Sequence, residues 1–150
     1  MDRRSLNRPD ATAEMITPDG WLRTGDLGFV DMDGHFTIVD RLKELIKYKG
    51  YQVAPAELKA VLLSHPAVAD AAVIPRPDEE AGEVPKAFVV PRGDVTADDL
   101  MTSVSERVAP YKRVHRIAFI DQIPKSASGK ILRRVLVERE RAACADPVLL

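Results

Sequence analysis

The segment Val68-Ala69-Asp70-Ala71-Ala72-Val73-Ile74-Pro75 has the composition of a β-strand. It is a short apolar run with β-branched residues, and a proline closes it. An acidic turn is predicted at residues 78–82, and further strands are predicted at 87–90 and 116–121. These strands form the predicted centre of the fold.

Helices are predicted before, between and after these strands. Pro55 suits the first position of one helix, where its missing N–H removes no helical hydrogen bond. Thr96 is the predicted N-cap of the next helix, with Asp99 three residues later as a weaker form of the capping box. Helical spacing of apolar residues continues from there to Val108, and a last helix is predicted over residues 131–142. This alternation of strands and helices predicts a compact two-layer α+β unit.

The N-terminal part of the chain is predicted to contain a β-hairpin. Extended runs at Leu27–Phe29 and Phe36–Ile38 are separated by Asp31-Met32-Asp33-Gly34. An Asp-Gly pair between such runs indicates a hairpin, because the turn needs a positive φ. A short helix is predicted before it, at residues 11–15.

Composition and charge exclude several functional classes. The chain has 150 residues, 22 Lys+Arg against 23 Asp+Glu, and 5% aromatic residues. A dedicated nucleic-acid binder usually has a basic excess and aromatic stacking residues, so that class is disfavoured. The single cysteine, Cys144, excludes an intramolecular disulfide framework and is typical of a reducing compartment. Three scattered histidines predict no metal site, and the lack of a targeting or membrane-spanning run predicts a cytoplasmic location.

Three stretches place charge beside glycine, a combination that phosphate chemistry needs: Arg23-Thr24-Gly25-Asp26, residues 41–50 and residues 124–130. In the first, the carboxylate of Asp26 could accept hydrogen bonds from two vicinal hydroxyls, such as those of a ribose. The alternative is a turn aspartate that bonds its own backbone. The four residues alone favour that alternative.

The second stretch carries one acidic residue against four cations: Arg41, Lys43, Lys47 and Lys49. Its periodicity fits a helix and a strand equally well. In a strand, the odd-numbered cations share one face beside Gly50, where backbone can approach an anionic substrate closely. The alternative is an ordinary solvated face, which is the commoner outcome for charge runs.

The third stretch, Ser126-Ala127-Ser128-Gly129-Lys130, is only partly similar to a phosphate-binding P-loop. The first glycine of that motif is absent, and Ile131 stands where Ser or Thr would bind magnesium. A P-loop NTPase is therefore disfavoured. The remaining interpretation is a loop that presents Lys130 just before a helix capped by Ser128. A lysine there opposes the helix dipole by roughly a few tenths of a kcal/mol, which hints at a functional reason for it.

Together and in this order, the segments resemble the adenylate-forming acyl-CoA synthetases of the 4-coumarate–CoA ligase, fatty-acyl-CoA ligase and luciferase branch. The likeness covers nearly the whole chain after about residue 6 and rests on residues 20–26, 38–58, 111–113 and 124–134. This family converts ATP and a carboxylate into an acyl-adenylate and pyrophosphate, then transfers the acyl group to the thiol of coenzyme A. The resemblance implies an α+β fold, with a small two-layer C-terminal lid domain at residues 41–150. Residues 1–40 would be the last β-hairpin of a large N-terminal domain.

The resemblance also implies roles for single residues. Asp26 would hold the ribose hydroxyls of AMP, with Arg41 close to the ribose and phosphate. Lys43 falls at the hinge about which the lid swings between the two half-reactions. Lys130 would enter the active site for adenylation, and Lys47 would replace it for thioester formation.

The implied cofactors are ATP/AMP, coenzyme A and Mg, and the implied partners are a carboxylic acid and the large N-terminal domain. Lys49 and Gly50 would line the pantetheine tunnel, with Gln52 supporting that loop. The ATP loop and acyl pocket of the family, which would bind most of the Mg and substrate, are expected upstream of Met1. The chain alone is therefore expected to be inactive.

Two alternatives stay open. An amino-acid-activating domain of a peptide synthetase is an alternative within the family, although the sequence of residues 45–53 favours the CoA-ligase branch. The rival from another class is a non-catalytic module that binds nucleotide, CoA or nucleic acid through a basic set: Lys112, Arg113, Arg116, Arg133 and Arg134.

Overall fold

The computed structural model describes residues 7–145. The chain divides into two compact units between Lys43 and Glu44. No helix within the described residues is both long and apolar enough to cross a membrane.

The first unit contains helix α1 and the predicted hairpin. Its elements are α1 (Pro9–Met15), β1 (Asp26–Val30) and β2 (Phe36–Arg41). The two strands pair antiparallel, with a register shift between Leu27 and Gly28. A Cβ at Gly28 would lie 2.6 Å from the carbonyl oxygen of Thr37, so the strands approach too closely there for any other residue. The hairpin prediction is confirmed.

The hairpin leaves much apolar surface in contact with solvent. Phe36 of β2 is 81% exposed, and Trp21, which precedes β1, is 74% exposed. Phe29 and Ile38 are also exposed, and α1 has no buried residue. A two-stranded hairpin is marginally stable alone, because it buries little apolar surface.

The second unit is built on a five-stranded sheet in the order β4-β3-β6-β5, with β7 pairing parallel to β6. Its elements are a 3-10 turn (Leu42–Glu44, beginning in the first unit), β3 (Ile46–Tyr48), β4 (Tyr51–Val53), α2 (Pro55–Leu63), β5 (Val68–Asp78), β6 (Gly82–Pro91), α3 (Ala97–Ser105), a 3-10 turn (Pro110–Lys112), β7 (Arg116–Phe119) and α4 (Arg133–Ala145). The predicted α+β class is confirmed.

Both faces of the sheet are buried, because β5 and β6 are apolar at successive positions. On β5, Ala71 and Val73 face a cluster that includes Leu58 of α2 and Leu100 of α3. Their neighbours Ala72 and Ile74 face a second cluster that includes Leu136 of α4. Successive side chains of a strand point to opposite faces. Helices α2 and α3 therefore cover one face and α4 covers the other, so the unit has three layers rather than the predicted two.

Two predicted helix boundaries were wrong. Helix α4 begins at Arg133 rather than at residue 131, because Ile131 forms an antiparallel bridge with Lys125. Ser128 is therefore not its N-cap, and Lys130 does not lie in its first turn. Helix α3 ends at Ser105, and Val108 lies beyond it, partly buried against the first core cluster. The apolar spacing correctly indicated the burial of Val108 but not its conformation.

The capping box of α3 is confirmed. The N–H of Asp99 donates to Oγ1 of Thr96 at 3.1 Å, and the N–H of Thr96 donates to Oδ2 of Asp99 at 3.3 Å. The hydrogen bonds from the side chain and then the backbone of Thr96 lower the pKa of Asp99. Because the folded-state pKa is lowered, this contribution to stability is present above pH about 3.9, the usual value, and is lost as pH falls through the lowered pKa.

Thr96→Ala is expected to lower the free energy of unfolding by about 1 kcal/mol at pH 7, since an orphan helical N–H loses its partner. Urea denaturation over a series of pH values measures this loss, and the difference from the parent chain should shrink as the pH falls through the lowered pKa of Asp99. Thr102→Ala, at an exposed position within the same helix, is the matched control and should not destabilise. Equal losses at both positions would contradict the capping role.

Candidate functional site

Asp26 and Arg41 meet at the open end of the first hairpin. They are register partners at the first residue of β1 and the last of β2. The Arg41 Nε lies 3.3 Å from Oδ1 of Asp26. Gly25, at φ +75°, turns the chain into β1, and its carbonyl accepts the N–H of Leu42. The hairpin thus places a carboxylate and a guanidinium side by side, as a hydroxyl-bearing and anionic ligand would require.

Of the second stretch, only Lys47, Lys49 and Gly50 lie in one hairpin. Arg41 ends β2 and Lys43 lies in the 3-10 turn, so the four cations do not share one strand face. Strands β3 and β4 pair antiparallel, and Lys47 lies directly opposite Gln52. Lys49 and Gly50 form the two-residue turn between the strands, at φ +45° and +84°. Two positive φ values in a two-residue turn are typical of type I′, in which glycine is strongly preferred. The conformation of the turn therefore explains why residue 50 is a glycine, independently of its predicted place in the pantetheine tunnel.

Lys43 lies in the 3-10 turn Leu42–Glu44, and its side chain is exposed. The division of the chain falls directly after it. The next residue, Glu44, forms an ion pair with Arg133 of α4. The chain is therefore fixed to the second unit from Glu44 onward.

Lys130 is presented by a small β-turn rather than by a helix end. The N–H of Ser126 donates to the carbonyl of Lys130 at 2.8 Å, and the N–H of Lys130 donates to Oγ of Ser126 at 3.2 Å. Gly129 supplies the positive φ of the turn, at +79°. The side chain of Lys130 is exposed. The loop is thus internally hydrogen-bonded while its ammonium group points to solvent.

The segments bearing Lys47 and Lys130 are attached to opposite ends of the β5–β6 pair. Lys125, in the loop of Lys130, forms an ion pair with Asp70 near the start of β5. The N–H of Lys47 donates to Glu83, whose register partner is Pro77 near the end of β5. Asp70 and Pro77 are seven residues apart, which is roughly 23 Å along a strand.

Several contacts around the Lys47 hairpin were not predicted from the sequence. The rings of Tyr51 and Tyr111 stack with centroids 4.5 Å apart. Lys112 donates to both carboxylate oxygens of Glu57 at 2.8 Å, and this hydrogen bonding raises the pKa of Lys112. Tyr51, Glu57 and residues 111–113 all lie in the resembling motifs, but nothing in the sequence paired them with one another.

Two other features lie apart from these lysines. Asp31, Asp33 and His35 place their ligand atoms within 4.8 Å of one another in the β1–β2 turn, but Oδ1 of Asp31 accepts the N–H groups of the other two. This cluster is explained by turn formation. A groove of about 940 Å³ lies beside Lys86 and Glu140, and its lining includes neither Lys47 nor Lys130.

Comparison with known proteins identifies the family. Residues 57–130 match the family model of the AMP-binding enzyme C-terminal domain. The 4-coumarate–CoA ligase 5 of Oryza sativa subsp. japonica is 59% identical over 144 residues, which are 95% of this chain and 26% of that protein. A 4-coumarate–CoA ligase of Vanilla planifolia is 56% identical over 92% of this chain and 25% of its own length.

Solved structures have the same fold. The o-succinylbenzoate–CoA synthetase of Bacillus subtilis, in complex with its acyl-adenylate intermediate, superposes with a TM-score of 0.80 at 42% identity, over 87% of this chain and 27% of that one. ATP-bound MatB of Rhodopseudomonas palustris gives a TM-score of 0.84 at 28% identity, over 90% of this chain and 27% of that one. The chain spans about a quarter of the length of most curated relatives that it matches. It therefore carries the C-terminal domain of an AMP-binding enzyme and is homologous to that part of the adenylate-forming CoA ligases.

Proposed function

We propose that the chain is the C-terminal part of an acyl- or aryl-CoA ligase. Such an enzyme activates a carboxylic acid with ATP to an acyl-adenylate and then transfers the acyl group to coenzyme A. The observation that carries the proposal is the attachment of two exposed lysine segments at opposite ends of one strand pair. This separation suits lysines that serve one nucleotide pocket in turn, each in its own orientation of the unit.

Lys130 acts in adenylation. Its ammonium group, a compact charge on a flexible side chain, bridges the carboxylate of the acid and the α-phosphate, where negative charge builds in the transition state. Lys47 takes the corresponding position during thioester formation. Lys43 provides the hinge, because a change in a few dihedrals of an exposed turn is enough to swing a domain.

Asp26 and Arg41 hold the nucleotide of the adenylate. The Asp26 carboxylate accepts hydrogen bonds from the ribose hydroxyls, and Arg41, already paired with it, remains near the phosphate. Coenzyme A approaches the β3–β4 turn, where Lys49 and Gly50 line its path and Gln52 supports Lys47. A large N-terminal domain supplies the acyl pocket and most of the binding of ATP and Mg, so the chain by itself is inactive. The proposed location is the cytoplasm.

A chimeric enzyme tests the proposal. In the rice 4-coumarate–CoA ligase 5, the matched C-terminal segment is replaced by the matched 144 residues of this chain. We expect pyrophosphate release that depends on 4-coumarate and formation of the CoA thioester. The isolated chain should show neither reaction. A folded chimera that releases no pyrophosphate, or an isolated chain that does, would contradict the proposal.

The alternative is a stand-alone module that binds nucleotide, CoA or nucleic acid. The structure weighs against a nucleic-acid surface, because three of its five proposed cations have acidic partners. Lys112 pairs with Glu57, Arg133 with Glu44 and Arg134 with Glu138. A salt-dependent gel shift with this chain would favour the alternative.

A further inference from the structure

The hairpin that carries Lys47 and Lys49 is held to the sheet by few backbone contacts. Strand β3 pairs with β6 at one register position, between Tyr48 and Gly82. By contrast, β5 and β6 pair along their whole lengths, from Val68 to Asp78. The position of the lysine hairpin therefore depends on other contacts.

Ile46 and Val53 pack the hairpin against the first core cluster, and Glu80 and Ala81 of the acidic turn, with Glu83 of β6, hold its two lysine residues. Oε2 of Glu83 accepts the backbone N–H of Lys47 at 2.9 Å. Oε1 of Glu80 lies 2.6 Å from Nζ of Lys49, and the carbonyl of Ala81 accepts the N–H of Lys49 at 2.9 Å. Both lysines are thus held by residues more than 30 positions later in the chain.

The acidic turn is itself held in place by hydrogen bonds within it. Oδ1 of Asp78 accepts the N–H groups of Ala81 at 2.9 Å and Glu80 at 3.1 Å. The hydrogen bond from Ala81 is the main cause of a lowered pKa of Asp78, so the carboxylate remains charged near neutral pH. Gly82 takes φ +82°, which a side chain would strain.

The acidic contacts of Lys49 contribute little to the overall stability of the fold. Lys49 and Glu80 have side chains 46% and 83% exposed, and such surface ion pairs contribute little to folding free energy. Their effect is local, since Lys49 has a positive φ, which is uncommon outside glycine, and its ammonium group lies against the carboxylate of Glu80. Glu83 likewise fixes the backbone at Lys47, from which the side chain extends.

We propose that Glu83 and Glu80 are positioning residues for thioester formation, acting through Lys47 and Lys49. This inference rests on the function proposed above, because it assigns the hairpin to the second half-reaction. Glu83 sets the backbone from which Lys47 reaches the adenylate. Glu80 directs Lys49 at the turn where coenzyme A approaches.

Half-reaction assays in the rice chimera test the catalytic consequence. Glu83→Ala should slow acyl transfer from preformed adenylate to coenzyme A about tenfold, the effect of losing one charge-assisted hydrogen bond. Pyrophosphate release should change less than about twofold, because adenylation does not use this hairpin. Glu83→Gln keeps a side-chain carbonyl acceptor and should restore most of the transfer rate. Glu80→Ala should have a smaller effect on the same step, and Glu79→Ala, in the same turn, is the matched control.

Amide hydrogen exchange of the chain itself tests the contact without any enzyme assay. The amide of Lys47 should exchange faster in Glu83→Ala but not in Glu83→Gln or Glu79→Ala, while core amides of β5 remain protected and report an intact fold. Unchanged exchange at Lys47 in Glu83→Ala would overturn the inference. Faster exchange with an unchanged transfer rate, in a chimera that forms the thioester, would overturn the role in catalysis. An inactive chimera would count against the proposed function while leaving the exchange result to decide whether Glu83 holds Lys47.

Discussion

Replacing Lys130 with alanine is expected to slow acyl-adenylate formation by about 100-fold or more in the rice chimera. The loop around Lys130 is held by its own backbone and serine hydrogen bonds, so the substitution removes the ammonium group without removing the turn. The loss should appear in the rate of adenylation, because the charge acts on a group that becomes more negative in the transition state. Transfer from preformed adenylate to coenzyme A should remain near the parental rate.

The reciprocal variant makes this prediction specific. Lys47→Ala should slow thioester formation and leave pyrophosphate release almost unchanged. Single-turnover assays of the two half-reactions on both variants provide the comparison. A normal rate of adenylation in Lys130→Ala would refute its assignment, and loss of the same half-reaction in both variants would refute the alternation of the two lysines.

Replacing Glu140 with alanine is expected to lower the free energy of unfolding by about 3 kcal/mol. The Glu140 side chain is 8% exposed and joins α4 to the sheet through Arg76 at 3.2 Å and through Lys86. Removing the carboxylate leaves two largely buried cations facing each other, which costs more than the ion pairs themselves contribute. Urea denaturation followed by circular dichroism measures the loss.

Glu138→Ala is the matched control for this prediction, because it makes the same change on the same helix. Glu138 and its partner Arg134 have side chains 57% and 89% exposed. Their pair is screened by water, so the free energy of unfolding should hardly change. Similar losses for the two substitutions would show that the Glu140 cluster does not anchor α4.

Local sequence signals predicted those elements whose cause is local. The Asp-Gly turn, the Pro55 helix start and the Thr96–Asp99 box depend on residues within a few positions of each other, and each lies where it was expected. The start of α4 was misplaced because its cause is a bridge between Ile131 and Lys125, six residues earlier. Propensity over a single window does not include such pairing, and tertiary contacts override it.

For the candidate site too, some residues were predicted from the sequence and others became evident only in the structure. Its residues Asp26, Arg41, Lys47 and Lys130 were named from glycine-and-charge motifs and from resemblance. Their roles remain predictions, whereas the neighbours that hold them emerged only from the folded chain. Glu83 is 36 positions from Lys47, and nothing in the sequence pairs these two residues.

The sequence by itself determined the alternation of strands and helices, the turns and the chemical types available, because these follow from backbone preferences and hydrophobic period. Tertiary structure decided which strand lies beside which, where each lysine segment is attached, and which carboxylates accompany the cations. Those choices depend on chain segments far apart in sequence, whose contacts form only when both faces of the sheet are buried together.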